Sequence, residues 1–440
     1  MAVTDPALLD LETAGWGGDH AHDPTAVRDD DGTYWLFSTD AYADGPVRGG
    51  VQVRRSTDLV TWTFHGWALP DVPAAAASWA GAVGLWAPEV ARVGDEWRMY
   101  WSASSFGSRT SAIGLAVAPH PAGPWTDRGL VVTSTHDGIR EGVSPHGDGP
   151  PNAIDANLVV DGDRHWLVYG SFFGGLHALE LDPATGLALT QGPGVLLARR
   201  PAAVEGAVEG PYVLPRPGGG WAMLASWDSL FDTYHVRAGV ADSPTGPYVD
   251  RLGRDLRDDA GTDAGTPVLT GHRLPGGPGL RGPGHGAVLT EADRQYLVHH
   301  VRDADRPTHH RVQVRLLAWT HDAWPVVSLL PWADTDHERT PATAWPDDPA
   351  VLRGAWDVLD LSADPRAVQP TTSSTLEVTD VVAHGSGRFA WRWGDGARAE
   401  AVVMPGLDPV RAHPTWTFGA VDDRGRVVAG VRHAAAGPTP

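Results

Sequence analysis

Five ionisable side chains stand at matching places along the chain and are the residues best suited to acid–base chemistry. They are four carboxylates and one imidazole: Asp23, Glu89, Asp155, Glu209 and His285. Each lies next to a short apolar run, where a charged group is costly unless it is paired or functional. Carboxylates and imidazoles are common general acids and bases. The sequence therefore predicts an active site where the fold brings these side chains together.

A repeat along the chain predicts that they do converge. Five segments share one plan, a polar residue followed by an apolar run, a turn, an aromatic residue and a second apolar run, as in NAIDANLVVDGDRHWLVYGS at 152–171. Such paired runs around a Gly-containing turn are typical of β-hairpins. The aromatic residues recur at intervals of roughly 55 to 75 positions, which suits propeller blades with loops. They are Trp35, Trp97, Trp166, Trp221 and Tyr296.

This repeat predicts an all-β protein with a five-bladed β-propeller as its catalytic domain, over residues 1–335. Each unit holds about four strands without a helical period between them. A sandwich would lack the longer period. If each polar residue begins the innermost strand of its blade, all five face the central channel. A polar, Pro-rich stretch at 333–352 is expected to be a linker, and 350–435 is expected to form a small β-barrel or sandwich without the repeat.

Composition excludes several classes of function. The chain has 34 basic and 54 acidic residues and a net charge of −20, so nucleic acid and anionic membrane are poor partners. It has no cysteine, which excludes disulfides, thiolate metal sites and a cysteine nucleophile. No signal peptide is visible at the N-terminus. The sequence predicts a cytoplasmic protein as written, or a secreted one if the chain is the mature form, and leaves its oligomeric state open.

Several motifs resemble glycoside hydrolase family 43. They are HDP at 22–24, WAPEV at 86–90, NAID at 152–155, VEGPYVL at 208–214 and PGH at 283–285. The resemblance is strongest to the endo-α-1,5-L-arabinanases and their exo-acting relatives. The stretch after residue 350 also resembles the small β domain that follows the propeller in many bacterial arabinanases.

The resemblance implies an inverting hydrolysis that uses three carboxylates. Asp23 would be the general base that activates water, and Glu209 the general acid that protonates the departing oxygen. Asp155 would tune the pKa of the acid and orient it. An inverting site needs one ionised and one protonated carboxyl group, about 6.5–9.5 Å apart so that water fits, and a neighbouring negative charge raises the pKa of the acid. For Glu89 a structural role is as plausible as a functional one.

The same resemblance implies a hydrated calcium ion near the propeller axis at His285, and no organic cofactor. An imidazole is an unusual ligand for this oxygen-preferring ion, so water would supply most of its ligands. Gly286 and Ala287 stand where the family usually has polar residues, which weakens the metal inference. The other histidines of this region, at 299, 300, 309 and 310, lack metal-ligand spacing and are expected to be mostly surface or structural.

Four further residues are candidates for contact with sugar. Trp86 and Phe106 could stack on sugar rings, and Asn152 and Ser171 flank the strand that carries Asp155. The first interpretation is therefore an enzyme that cleaves α-1,5-linked arabinan or its oligosaccharides. The alternatives are an exo-acting α-L-arabinofuranosidase or β-xylosidase of the same fold, and a propeller that binds glycan without catalysis. Rim loops at 70–85 and 133–152 would decide between endo and exo action.

Overall fold

The computed structural model of the protein describes residues 13, 15–42, 47–134, 151–204, 206–258 and 264–433. Within this part, consecutive antiparallel strands form five sheets, each of which is one blade of a propeller, and a separate C-terminal sheet follows. The strands of blades one to three are β1 (Thr25–Arg28), β2 (Tyr34–Ser38), β3 (Gln52–Ser56) and β4 (Thr63–Trp67); β5 (Leu85–Val93), β6 (Glu96–Ala103), β7 (Ala112–Ala118) and β8 (Thr126–Thr133); and β9 (Asn157–Asp161), β10 (Arg164–Tyr169), β11 (Leu176–Leu181) and β12 (Val195–Ala198).

Blades four and five follow the same order along the chain. The sheet of blade five begins with a short strand and is joined by one strand from the C-terminal region. The strands of these two blades are β13 (Val208–Pro215), β14 (Trp221–Trp227), β15 (His235–Ala241) and β16 (Thr266–Leu269); and β17 (His272–Arg273), β18 (Gly279–Thr290), β19 (Gln295–Asp303), β20 (Arg306–Trp319) and β21 (Pro325–Val327). The predicted five-bladed β-propeller is confirmed.

Apolar side chains on both faces of the blades hold the ring together. Each interface between neighbouring blades has its own buried cluster, as where Phe37 of blade one packs with Trp101 of blade two. The cluster between blades five and one closes the ring, with Val298 against Leu36. The sequence of a strand that is buried on both faces is a near-continuous apolar run. This explains why strands such as β7 (AIGLAVA) do not alternate between apolar and polar residues.

The N-terminal segment also contributes to closure of the ring. Residues 18–20 lie beside β20 of blade five: the His20 amide donates to the carbonyl of His310, and the Val312 amide donates to the carbonyl of Gly18. The chain then enters β1 of blade one. Because residues from both ends of the propeller pair here, Asp23 comes to lie next to side chains of blade five.

The C-terminal region is a seven-stranded antiparallel sheet that packs against the propeller. Leu359 and Val421 of this region share a buried cluster with Leu214 and Trp319 of the propeller. The stretch expected to be a linker is packed as well, and its Trp345 is only 6% exposed. The short strand β23 (Gln369–Pro370) pairs with β17 of blade five. The seven strands of the C-terminal sheet are β22 (Ala355–Asp360), β24 (Thr372–Thr375), β25 (Val378–Gly385), β26 (Arg388–Trp393), β27 (Arg398–Asp408), β28 (His413–Asp422) and β29 (Val427–Arg432).

Helices are few in the described part of the chain. The α-helix Ala74–Ala80 lies in the Ala-rich insertion before β5 and ends at Gly81, whose φ of 62° is left-handed. Short 3₁₀ helices span Ala202–Val204, Ala342–Ala344 and Pro349–Leu352. None of the described helices is long and apolar enough to cross a membrane. The rim loop expected at 133–152 falls largely outside the described residues, because residues 135–150 are not among them.

Candidate active site

In each of the five blades, one residue within the innermost strand or just before it has a left-handed backbone conformation. Asp23, Ala87, Asp155, Gly210 and His285, one per blade, all have φ between 39° and 63°. L-residues other than glycine rarely adopt this left-handed conformation, and such strain is concentrated at functional sites. Three of these residues, Asp23, Asp155 and His285, line one cavity.

A hydrogen bond to the preceding blade fixes four of these turns. The amide of the left-handed residue donates to a side chain near the end of the second strand of that blade. The acceptors are Thr39 for Ala87, Ser102 for Asp155, Ser226 for His285 and, in place of a hydroxyl, the imidazole of His300 for Asp23. At the fifth turn, the Gly210 amide donates instead to Oδ2 of Asp155, at 3.1 Å. Gly210 is required here, because a Cβ would lie 3.0 Å from the ring of His285.

Glu89 is not the counterpart of Asp23 and Asp155 in blade two, as the repeat predicted; that position belongs to Ala87. Glu89 lies two residues beyond the left-handed Ala87, as Thr25 lies two beyond Asp23 and Asn157 two beyond Asp155. Its carboxylate accepts hydrogen bonds from both of these equivalents, at 3.0 Å each. Glu89 therefore belongs to a deeper layer of the channel and is absent from the lining of the cavity described next. It links blades one, two and three, which is a structural role.

A cavity of about 520 Å³ opens at the end of the channel where the left-handed residues lie. Its lining brings together all three predicted catalytic carboxylates, His285 and all four predicted sugar contacts. These residues are Asp23, Asp155, Glu209, His285, Trp86, Phe106, Asn152 and Ser171. A cavity of this size, lined by aromatic side chains with a few convergent polar groups, is typical of a small-ligand site.

Asp23 is buried among donors that favour its ionised form. Oδ2 accepts from Thr39 Oγ1 at 2.6 Å and lies 2.8 Å from Nδ1 of His22. Oδ1 lies 3.2 Å from Nδ1 of His285. Nδ1 of His300 lies 3.4 Å from Oδ1 but accepts from the amide of Asp23, so it does not donate to the carboxylate. Burial by itself would raise the pKa of Asp23, but His22 and His285 hold that pKa well below its ordinary value. Asp23 is therefore an ionised carboxylate, able to accept a proton.

Glu209 and Asp155 have the opposite electrostatic character. Burial and the charge of Asp23 raise the pKa of Glu209 to about 7, although its 2.6 Å hydrogen bond from Ser171 acts in the other direction. Burial and the charges of Glu209 and Asp23 raise the pKa of Asp155 well above its ordinary value. Carboxyl groups that interact this strongly titrate as a pair. The pair holds a proton near neutral pH, so the cavity contains both a proton acceptor and a proton donor.

The predicted sugar contacts differ in how free they are to meet a ligand. Phe106 is 81% exposed, and its ring centre lies 6.2 Å from that of Phe231, which is itself 47% exposed. Trp86 is partly buried in the cavity lining. The side-chain oxygen of Asn152 accepts from Ser111, and the hydroxyl of Ser171 donates to Glu209. Phe106 and Trp86 therefore present ring surface, whereas Asn152 and Ser171 hold neighbouring parts of the site in place.

Sequence reasoning missed three residues that support Asp23. His300 was expected to be structural or on the surface, but it is fully buried and its ring stacks on that of His22, with centres 4.0 Å apart. Tyr234 also stacks on His300, with ring centres 5.6 Å apart. Arg302 donates to Nε2 of His22 at 2.9 Å. His300 could have been found from the predicted hairpin of blade five. Its two strands, β18 and β19, pair so that His300 lies opposite Gly284, the residue before His285.

The described side chains fit a calcium ion only as a hydrated one. Their one group with ligand atoms close enough to share a metal is His22, Asp23 and His300, and these atoms already contact one another. Calcium takes six to eight oxygen ligands, and this group offers a single carboxylate. His285 turns Nδ1 toward Asp23, so only its other ring nitrogen could bind an ion, with water as the remaining ligands.

Comparisons with known proteins point in one direction. The family model described as glycosyl hydrolases family 43 matches residues 18–325. The chain is 28% identical to extracellular endo-α-(1→5)-L-arabinanase 2 of Bacillus subtilis, over 98% of this chain and 96% of that protein. It is 30% identical to an extracellular exo-α-(1→5)-L-arabinofuranosidase of Cellvibrio japonicus, over 70% of this chain and 86% of that protein.

A solved structure extends the likeness to the whole fold. The endo-1,5-α-L-arabinanase of Thermotoga petrophila superposes with a TM-score of 0.78 at 24% identity, over 96% of this chain and 100% of that one. At this level of identity the superposition shows the architecture, a propeller followed by a β domain. The match of the family model, in contrast, covers the three carboxylates and His285.

Proposed function

Because the chain belongs to glycosyl hydrolase family 43, we propose that it hydrolyses the α-1,5-linkages of arabinan or arabino-oligosaccharides with inversion of configuration. The protein is a glycosidase. The observation that carries the proposal is that one cavity contains two carboxyl groups with pKa values shifted in opposite directions. The pKa of Asp23 is held low, and that of Glu209 is raised to about 7. Inverting hydrolysis requires such a pair.

The proposed reaction is a single displacement. Asp23, ionised, accepts a proton from a water molecule through Oδ1, because Oδ2 already has two donors, Thr39 and His22, whereas Oδ1 has only His285. The water oxygen bonds to the anomeric carbon as the bond from that carbon to the glycosidic oxygen breaks. Glu209 donates its proton to the departing oxygen, which leaves as a hydroxyl group. One proton is gained and one is lost by the protein, so the site is restored after proton exchange with solvent.

Asp155 supports the proton donor in this proposal. Its Oδ2 accepts from the amide of Gly210, the residue after Glu209, and the charge of Glu209 raises the pKa of Asp155. A negative neighbour disfavours ionisation of a carboxylic acid. Asp155 therefore fixes the backbone beside Glu209 and keeps the shared proton in the site until it is transferred.

The substrate and the product pattern test the proposal together. We expect linear α-1,5-arabinan to be cleaved faster than xylan or an aryl β-xyloside, with a first-formed sugar of inverted anomeric configuration by NMR. A preference for β-xylosides would contradict the arabinan proposal but not the family. A first product of retained configuration would make Asp23 a nucleophile instead of a base.

An exo-acting arabinofuranosidase is the second candidate, and one observation favours it. Phe106 from blade two and Phe231 from blade four both line the cavity, with ring centres 6.2 Å apart, so a chain cannot pass between the two rings. Chromatography of early products from linear arabinan distinguishes the two. A ladder of oligosaccharides indicates endo action, and one short product from the outset indicates exo action.

We propose that calcium, where it binds, is a hydrated ion held by the second ring nitrogen of His285. It would supply positive charge beside the carboxylates, and no step above requires it. Treatment with a chelator is then expected to lower kcat partially, and added CaCl₂ to restore it, while NaCl of equal ionic strength does not. Unchanged kcat after chelation would leave His285 only as the neighbour of Asp23 and Asp155.

The two curated relatives described above are named extracellular, and we infer that this enzyme also acts outside the cell on polymeric substrate. The cytoplasmic alternative has no support in these relatives. The prediction is checked by assaying arabinan hydrolysis in the culture medium and in washed cells of a producing strain.

A further inference from the structure

A buried arginine lies at the wall of the cavity, beside the histidine that precedes the proposed base. Arg302, in β19 of blade five, is 3% exposed. Its Nη2 donates to Nε2 of His22 at 2.9 Å, and its Nη1 donates to the carbonyl oxygen of Pro307 at 2.8 Å. Its Cζ lies 4.9 Å from the ring centre of Phe231. The guanidinium is therefore held on several sides with one of its N–H groups directed at His22.

This contact determines which nitrogen of His22 carries a proton. An arginine side chain has N–H donors and no acceptor, so Nε2 of His22 must accept. A neutral imidazole with an accepting Nε2 carries its proton on Nδ1. Nδ1 lies 2.8 Å from Oδ2 of Asp23, where it donates to the carboxylate. With the proton on Nε2 instead, the lone pair of Nδ1 would face the carboxylate and repel it.

The surroundings of His22 fix the orientation of its ring but not its protonation. His300 stacks on it at 4.0 Å and 17°, and His310 meets it edge-on at 4.9 Å. Nδ1 of His300 is engaged by the amide of Asp23. Among the described residues facing His22, Arg302 is the one that donates to Nε2.

We propose that Arg302 is a positioning residue for the hydrolysis. Through His22 it directs an N–H at Oδ2 of Asp23 and leaves Oδ1 to take the proton from water. This inference rests on the proposed role of Asp23 as general base. It assigns a function to an arginine that acts on Asp23 through His22, from which it lies 280 positions away in the sequence.

The test compares Arg302→Met, Arg302→Gln and Arg302→Lys. Methionine cannot donate to Nε2, and glutamine can donate or accept, so neither imposes the tautomer, whereas the lysine ammonium has donors only. We expect kcat on arabinan to fall about 10- to 100-fold in Arg302→Met and Arg302→Gln, by analogy with the loss of a hydrogen-bond partner of a metal-bound histidine, with little change in KM. Arg302→Lys should retain more of kcat than either.

The ¹⁵N chemical shifts of the His22 ring give a readout that a purely structural role would not move. They are assigned by loss of the signal in His22→Gln. Wild-type protein should show a protonated Nδ1 and a bare Nε2, and Arg302→Met and Arg302→Gln should show the other tautomer or a mixture. A bare Nε2 and full kcat in both variants would overturn the proposal. If Arg302→Met fails to fold, the comparison of Arg302→Gln with Arg302→Lys decides.

A matched control exists in blade four. Arg237 donates from Nε to Nε2 of His235 at 2.9 Å, but that imidazole directs Nδ1 at the carbonyl oxygen of Thr233. Arg237→Lys should leave kcat on arabinan near the wild-type value. Failure of the inference is distinguishable from failure of the proposed function: an inactive Asp23→Asn beside a fully active Arg302→Gln rejects only the role of Arg302.

Discussion

Replacement of Asp23 by asparagine is expected to abolish nearly all activity, on every substrate. The amide is nearly isosteric but cannot take a proton from water, and an inverting reaction has no covalent intermediate through which a good leaving group could bypass the base. A single general base is worth about 10²–10⁴ in rate. We expect kcat to fall within this range both on arabinan and on a nitrophenyl arabinofuranoside.

Glu89→Gln is the matched control for this variant. Glu89 is also a buried carboxylate near the axis, yet it lies outside the cavity lining, and burial raises its pKa to about 7, which favours a neutral side chain at that position. The kcat of Glu89→Gln should stay near that of the wild type. Substantial hydrolysis of the aryl substrate by Asp23→Asn, measured as initial release of nitrophenolate, would contradict the base role.

Replacement of Glu209 by glutamine is expected to give a loss that depends on the leaving group. Glutamine cannot donate the proton that arabinan needs for departure of its glycosidic oxygen, so kcat on arabinan should fall about 10²–10⁴-fold. Nitrophenolate departs without protonation, so the aryl arabinofuranoside should lose far less. Equal losses of kcat on both substrates would reject Glu209 as the acid.

The pH dependence provides a second check on Glu209. Its pKa is raised to about 7, and only the protonated form donates, so wild-type kcat/KM on arabinan should fall as pH rises through this region. Glu209→Gln should lose this basic limb of the profile. In Ser171→Ala the limb should move to higher pH, because the hydroxyl that stabilises the ionised form of Glu209 is removed. A shift to lower pH would be incompatible with that contact.

The sequence by itself determined the blades and most of the cavity. Turn residues, aromatic positions and apolar runs act over a few neighbouring residues, so their repetition predicts hairpins and, through the number of units, a five-bladed ring. The same local pattern placed Asp23, Asp155, Glu209 and His285 at the starts of inner strands. All four do line the cavity.

Tertiary structure decided the layer to which each carboxylate belongs. The repeat aligned Glu89 with Asp23, but the left-handed residue of blade two is Ala87, and Glu89 faces a deeper level. A shift of two residues along a strand places a side chain on the same face of the sheet, so it does not change the pattern of apolar and polar residues. It is visible only in the backbone conformation at the start of the strand.

Tertiary structure also decided how the proposed base is supported. Asp23 pairs with His300 across 277 positions, and His22 with Arg302 across 280. These contacts exist because closure of the ring brings blade one against blade five. The spacing of neighbouring residues in the sequence does not predict such a contact. The sequence therefore identifies the carboxylates through their place in a repeat, whereas their protonation states depend on partners that only the closed ring assembles.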